Sequence, residues 1–426
     1  MGNTSLSSLK LRSEFSRNVF TLTTGTTIAQ AIPILVSPVL TRLYSPEDFG
    51  ILALFLAVTS IVALFSTARY ENAILLPREE ADAANILCLC FAIIAVVSAL
   101  TLVLVGALRI PIARLLGEPR IAPWLYLVPL SVALTGTFQS LNYWVNRQRN
   151  YRRLALSRIS QSVAGTSINI GMGIAGMGTG GLIFGLLGGQ SVALGVLGWH
   201  VLRHHRHESW QVAVPAMKKV AKQYMDFPRF SLWADLMNLL SNQLTVLLLP
   251  RFFGVAVLGL YAMGQRVVAL PATIIGNAIT DVFKGRASTD YARDGNCLQL
   301  YKKTFKHLLL LSVIPFLILI ITAPGLFAIA FGESWRMAGT LSQVLSVMYL
   351  LKFVVSPLSY TYYLANRQKE DMWLQAYMVV SAVASLAAGY YFLKNAVMSL
   401  LLYSVNCSIV YLMYLCRSYT FSKRRI

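Results

Sequence analysis

The chain has 426 residues, of which 56% are hydrophobic and 13% charged, and its mean hydropathy is +0.61. An ordinary soluble domain carries about twice that share of charge, so a soluble globular fold is excluded. Lysine and arginine number 37 against 17 acidic residues, a formal charge of +20. Nucleic acid would be the partner only if those bases formed one compact basic domain, and they are dispersed. The five cysteines, Cys88, Cys90, Cys297, Cys407 and Cys416, follow neither a disulfide nor a metal-ligand spacing.

About 20 mainly apolar residues cross a hydrocarbon core about 30 Å thick. Twelve such stretches follow one another, starting near Asn18, Phe49, Ala84, Pro123, Ser160, Gly180, Ser231, Val255, His307, Ala338, Trp373 and Ala396. The weakest divisions are Ser160 to Val201, parted only by the turn-like Gly176–Gly181 run, and the polar seventh stretch, so eleven or thirteen also fit. The first stretch outruns a signal-peptide core and no small-residue cleavage site follows it, so it counts as a span. The expected fold is an all-α integral membrane protein. Its expected parts are a cytoplasmic segment over 1–17, an N-lobe over 18–202 with spans 1–6, a cytoplasmic linker over 203–230, a C-lobe over 231–416 with spans 7–12, and a basic tail over 417–426.

With twelve spans the loops alternate sides, and 28 of the 37 basic residues fall on one side, Arg69, Arg158 and Arg203 among them. Seven fall on the other: Arg42, Arg109, Arg114, Arg120, Arg251, Arg336 and Lys394. The positive-inside rule then makes both termini cytoplasmic. Most of the net charge is a topology signal, and nucleic acid is not expected as a partner.

An internal repeat runs through the chain. The segment Leu40-Thr41-Arg42 to Ala53 parallels Leu249-Pro250-Arg251 to Ala262 at an offset of 209 residues, with Leu, Arg, an aromatic, Gly and Ala coinciding. Gly117-Glu118 matches Gly332-Glu333 at 215, and Tyr143 with Asn146-Arg147-Gln148 matches Tyr363 with Asn366-Arg367-Gln368 at 220. Three matches in one order argue for a duplicated six-helix half. Six is even, so the halves are parallel, an arrangement that suits a transporter with its path between them. A membrane scaffold without transport is the bland alternative.

Polar groups inside a bilayer are expensive, so their spacing is informative. The first span carries Thr23, Thr26, Gln30, Pro33 and Ser37 on one helical face, and the seventh carries Asp235, Asn238, Asn242 and Thr245. The eighth adds Arg266, Thr273, Asn277 and Thr280, the tenth Tyr349, Lys352, Ser356, Ser359 and Tyr363, and the fourth Thr135, Gln139, Asn142 and Asn146. One wet central cavity would satisfy all five stripes; interhelical hydrogen bonding would satisfy any one. Arg266 and Lys352 are the two bases that no interface can receive. Arg69-Tyr70-Glu71 reads either as a self-neutralising pair or as a gate, with Arg42 and Arg251 as further rim positions. Asp235 has two open readings: it balances Arg266, or it carries a proton or sodium ion as the coupling site.

Several patterns are set aside. Gly171-Met172-Gly173-Ile174-Ala175-Gly176 fits a dinucleotide pattern but follows no strand, and Gly181, Gly185 and Gly189 at spacing four mark helix packing. His200, His204, His205 and His207 lack an acidic or cysteine partner and sit among Arg203 and Arg206, so no metal site is expected. No P-loop, nucleophile elbow or carboxylate pair appears, so no enzyme activity is expected.

The run Pro38-Val39-Leu40-Thr41-Arg42-Leu43-Tyr44-Ser45-Pro46-Glu47-Asp48-Phe49-Gly50, followed by Arg69-Tyr70-Glu71-Asn72-Ala73-Ile74-Leu75-Leu76-Pro77, resembles polysaccharide biosynthesis proteins of the Wzx type. These are the O-antigen flippases of the multidrug/oligosaccharidyl-lipid/polysaccharide exporter superfamily. The resemblance implies two six-helix lobes around a central cavity and a bacterial inner membrane. It implies an undecaprenyl-diphosphate-linked oligosaccharide as cargo, moved from the inner to the outer leaflet by alternating access, with a polymerase and chain-length proteins as further partners. Two fewer spans than in lipid II flippases weigh against that relative. For such a cargo Arg266 and Lys352 suit the diphosphate, and Gln30, Asn142, Asn238, Asn242 and Asn277 suit the glycan. A cation-coupled multidrug antiporter of the same superfamily is the rival, and would favour acidic residues where this chain offers Asp235 alone. No cofactor is expected, with coupling to H+ or Na+ left open.

Overall fold

In a computed structural model of the chain, residues 21–204, 212–269 and 276–423 are described. Among them the secondary structure is helical, without a strand. The chain divides into two compact units, Met1–Leu240 and Ser241–Ile426. The division falls inside the seventh apolar stretch, ten residues past the expected lobe boundary at 231.

In the first unit, α1 (Thr21–Leu43) is interrupted by a turn at Val36, just before Pro38, which has no N–H to continue the ladder. Ser45 then caps α2 (Pro46–Phe65): its hydroxyl accepts from the Asp48 N–H, Asp48 accepts from the Ser45 N–H, and Pro46 takes the first turn. A short 3-10 helix, Tyr70–Leu75, leads to α3 (Glu80–Leu115). At 36 residues α3 is about 54 Å long, well beyond a hydrocarbon core. There follow α4 (Val128–Arg147), α5 (Tyr151–Ile174) and α6 (Thr179–His204). The last two approach backbone to backbone. A Cβ on Gly189 would stand 2.7 Å from the Gln161 carbonyl oxygen and 3.2 Å from the Gly165 Cα, which is the packing that the glycine spacing anticipates. The expected linker holds α7 (Val214–Gln223), an amphipathic helix whose Val220 is fully buried in a core with Ile74, Leu87 and Trp144. The Tyr70 hydroxyl donates to the Ala221 carbonyl at 2.9 Å, pinning the 3-10 helix to α7.

A π-turn, Phe227–Ser231, opens α8 (Leu232–Phe253). The second unit continues with α9 (Val255–Val268), α10 (Asn277–Asp294), α11 (Leu298–Phe331), α12 (Arg336–Leu358), α13 (Thr361–Leu364), α14 (Gln368–Ala388) and α15 (Ala396–Lys423). α12 lies at its centre, with Leu341, Leu345, Phe353 and Leu358 buried among α9, α11 and α15. Helix starts repeat along the chain. α2 and α9 begin 209 residues apart, α3 and α11 218, α5 and α14 217, α6 and α15 217. The duplication seen in the sequence is thus also a duplication of helices.

Among the described residues, each of the twelve apolar stretches falls on helix. Among the described residues, nine helices are long and apolar enough to cross a membrane. α4 and α5 are too polar for that measure and α9 is too short. Three sequence expectations are corrected here. The eighth stretch is not one helix, since α9 ends at Val268 and Asn277 opens α10, so Arg266 and Thr280 stand on different helices while Thr273 lies outside the described residues. Arg417 to Lys423 continue α15 instead of forming a tail, leaving only residues 424–426 beyond it. Arg158 belongs to the interior of α5, not to a loop. The expected segment 1–17, with His205 and His207, lies outside the described residues. Val103 on α3 and Leu310, Ile314 and Ile321 on α11 stand exposed, an apolar surface that hydrocarbon would cover.

Candidate functional site

The first unit gathers charge where α2 ends. Ala68 and Arg69 both take left-handed backbone conformations, with φ of +48° and +66°. For residues with a Cβ this costs about 1–2 kcal/mol each, so tertiary contacts must hold the turn. Arg69 supplies them. Its Nε donates to Asp235 Oδ2 at 2.6 Å, its Nη2 donates to the same oxygen, and its Nη1 donates to Glu71 Oε1 at 3.2 Å. Thr67 Oγ1 donates to the other Glu71 oxygen. Glu71 is 1% exposed, while the side chains of Arg69 and Asp235 keep 24% and 40%. Tyr143 of α4 lies near enough to feel all three charges. One arginine thus bridges two carboxylates, and the cluster keeps a formal charge of −1. Of the two readings of Arg69 and Glu71 the self-neutralising pair is present, enlarged by Asp235 from 166 residues away.

A second arginine has no such partner. Arg158, seven residues into α5, donates from Nη1 to Thr26 Oγ1 of α1 at 2.7 Å. Among the described residues no carboxylate pairs with it. Ser162, one turn on, donates to the Ala29 carbonyl at 2.6 Å. Arg158 escaped the sequence reading because Arg152 and Arg153 beside it suggested a loop; the signal that would have found it is Thr26 on the polar face of the first span.

The remaining predicted residues divide. Gln30 is exposed on α1 and Asn142 half-buried on α4. Thr135 on the same α4 stripe accepts from Gln190 of α6 at 3.2 Å, and Ser131 donates to Gln190 at 3.3 Å, so this stripe is partly interhelical packing. Asn238 and Asn242 are exposed on α8, each engaged by neighbours. Asn277 opens α10, but its side chain lies outside the described set. Arg42 and Arg251 are exposed in the last turns of α1 and α8, where a cation complements the carbonyl end of the helix. His200 is buried against Asn150, 3.2 Å between side-chain nitrogens, and no group of three metal-ligating residues forms among the described residues.

In the second unit, Arg266 is exposed near the end of α9 and Lys352 is half-buried on α12, helices that pack on one another. Lys352 Nζ lies 5.7 Å from the centre of the Tyr349 ring, a cation–π contact. Neither base forms an ion pair among the described residues. Among the described residues Arg158, Arg266 and Lys352 thus have no acidic partner, whereas Glu71 and Asp235 share Arg69.

Residues 39–340 match the model of a family described as polysaccharide biosynthesis protein. The succinoglycan biosynthesis transport protein ExoT of Rhizobium meliloti (strain 1021) is 26% identical over 330 residues, 76% of this chain and 63% of the relative. The teichuronic acid biosynthesis protein TuaB of Bacillus subtilis (strain 168) is 28% identical over 169 residues, 38% of this chain and 33% of the relative. The chain thus spans less than two thirds of either relative. Among solved structures, the lipid II flippase MurJ in an inward closed conformation superposes with a TM-score of 0.69 at 12% identity, covering 96% of this chain and 89% of its own. An inward-facing multidrug resistance MATE family transporter of the MOP superfamily gives 0.67 at 14%, covering 94% and 96%. At such identities the likeness is one of fold.

Proposed function

The chain belongs to the polysaccharide biosynthesis protein family, and from that premise we propose that it is a flippase. Its cargo is an undecaprenyl-diphosphate-linked oligosaccharide, carried from the inner to the outer leaflet of a bacterial inner membrane by alternating access. Both termini are then cytoplasmic, as the distribution of basic residues supports.

The observation that carries this reading is the asymmetry of charge on the membrane helices. A free cation there costs several kcal/mol unless an anion or water compensates it. Arg158 in the first unit and Arg266 and Lys352 in the second pair with no carboxylate among the described residues, so each unit offers its own anchor to a diphosphate. The guanidinium fork of an arginine fits two phosphate oxygens, while the lysine acts as a point charge. A cation exporter would want the reverse, a free acid, yet Asp235 is held by Arg69. Gln30, Asn142, Asn238 and Asn242 supply amides for a hydrated glycan. An anion leaving a negative cytoplasm gains about 2.3 kcal/mol per charge per 100 mV. Coupling to H+ or Na+ would act through the Asp235–Arg69 pair, whose opening frees the carboxylate.

The test is reconstitution in liposomes loaded on one leaflet with a lipid-linked oligosaccharide, reading glycan exposure on the other. Translocation that stops on replacing Arg266 and Lys352 together with glutamine is expected. A wild-type protein that moves no lipid-linked glycan overturns the reading.

A further inference from the structure

The run Ser45-Pro46-Glu47-Asp48, part of what relates this chain to its family, lies beyond the far end of α1 from Thr26, the partner of Arg158. It belongs to a pocket of about 450 Å³ at the end of the first unit where the α1–α2, α3–α4 and α5–α6 connections meet. Its walls include Glu47, Asp48, Arg120, Trp124 and Thr179. The pocket is built, not incidental. Thr179 Oγ1 donates to Asp48 Oδ1 at 2.6 Å, tying the start of α6 to the start of α2. Arg120 is fixed by Nε and Nη2 bonds to Glu118 at 2.9 and 3.1 Å, yet its side chain stays 60% exposed. Trp124 is wedged edge-on against Phe184, and a Cβ on Gly180 would come within 2.9 Å of its ring. Glu47 takes part in none of these bonds.

The duplicated half shows that the fold does not need this chemistry. At the offset of 209, Glu47 and Asp48 correspond to Ala256 and Val257, and α9 starts there behind Gly254 without any side-chain cap. The carboxylates of the first unit are thus an addition to a turn that forms without them.

We propose that this pocket is a saccharide subsite, which takes one sugar residue of the cargo's glycan at the end of the unit opposite the basic loops. An indole presents a flat apolar face to the C–H face of a pyranose ring. The Glu47 carboxylate, near Arg120 but without a hydrogen bond among the described residues, can accept from two neighbouring sugar hydroxyls, and a fixed guanidinium donates to others. Together these make a concave wall with few, convergent polar groups. The subsite rests on the flippase reading for its place in the cycle: it holds the glycan on the side where the cargo is released.

The experiment measures binding of a fluorescently labelled oligosaccharide, one repeat unit cut from the host's own surface polysaccharide, to the full chain in detergent micelles. Glu47→Gln, which breaks no bond of the fold, and Trp124→Ala are each expected to weaken binding about tenfold or more. Trp124→Phe, which keeps an aromatic wedge beside Phe184, should recover part of the loss. Equal binding by wild type, Glu47→Gln and Trp124→Ala overturns the proposal, as does the absence of any binding by wild type. Translocation of the lipid-linked form is followed on the same preparations. Intact translocation without pocket-dependent binding sinks the subsite and spares the flippase reading; pocket-dependent binding without translocation does the opposite.

Discussion

In the first unit the long helix α3 ends at Gly117, φ +76°, and Glu118 behind it is clamped on Arg120; in the second, α11 ends at Gly332, φ +103°, and Glu333 binds Arg336. The two halves share this device, yet they place other charges differently. The first holds a paired arginine, Arg69, and an unpaired one, Arg158. The second holds Arg266 and Lys352, neither paired with an acid among the described residues. What duplication kept is the scaffold, and what diverged is the set of charges on its helices, so the differences between halves mark residues that the fold does not demand.

The sharpest break of that comparison is Arg69→Gln. It strands Glu71, 1% exposed, and frees Asp235, so a loss of about 3–5 kcal/mol is expected. Thermal melting in detergent measures it. Adding Glu71→Gln and Asp235→Asn should return most of the stability, because the penalty is the orphaned charge and not the lost bond. A single variant as stable as wild type would show that the network is ornamental.

Arg158→Gln, Arg266→Gln and Lys352→Gln should behave in the opposite way. Each removes a cation that the protein leaves uncompensated, so melting temperature should stay level or rise. Translocation of lipid-linked oligosaccharide should fall by about a hundredfold, some 2.7 kcal/mol of lost binding. Loss of stability with normal transport would place these residues with Arg69.

These contrasts bear on what a sequence discloses. The helices, their order and the duplication were legible because apolar length and turn residues are local properties. Arg266 and Lys352 were legible for the same reason, each being a base within an apolar run. The Arg69–Asp235 bond was not, since it joins residues 166 positions apart. Arg158 was misplaced because arginine is a good helix former, and a basic run that looks like a loop can be the first two turns of a helix. The eighth stretch misled in the other direction, its hydropathy running on past the end of α9 at Val268.

Helix contacts sharpen the comparison further. Gly189 of α6 lies against the α5 backbone, whereas its mate 217 residues on, Asn406 of α15, donates to Ser381 of α14 at 2.7 Å. Gly189→Ala should cost about 1–3 kcal/mol through steric overlap. Asn406→Ala should cost about 0.6 kcal/mol, the ordinary worth of an interhelical bond in a membrane. Melting curves of the two variants separate close packing in one half from hydrogen bonding in the other; equal losses would erase the distinction.

The smallest effect concerns the shared glutamates. Burial opposes the charge on Glu118, but the Arg120 hydrogen bonds and charge outweigh it and hold the carboxyl below its ordinary range. A carboxylate lowered in the folded state contributes stability above its unfolded pKa, about 4.3, and loses that contribution as pH falls through the lower folded value. Stability of wild type should therefore drop below about pH 5 more steeply than that of Glu118→Gln, by under about 1 kcal/mol. Glu333 is lowered by Arg336 in the same direction, yet it stands in solvent, where screening by water weakens the pair. Glu333→Gln should leave the acid limb of the curve where wild type has it. If both variants flatten it alike, the two ends of α3 and α11 are equivalent in energy as well as in geometry, and the burial of Glu118 does nothing for its half.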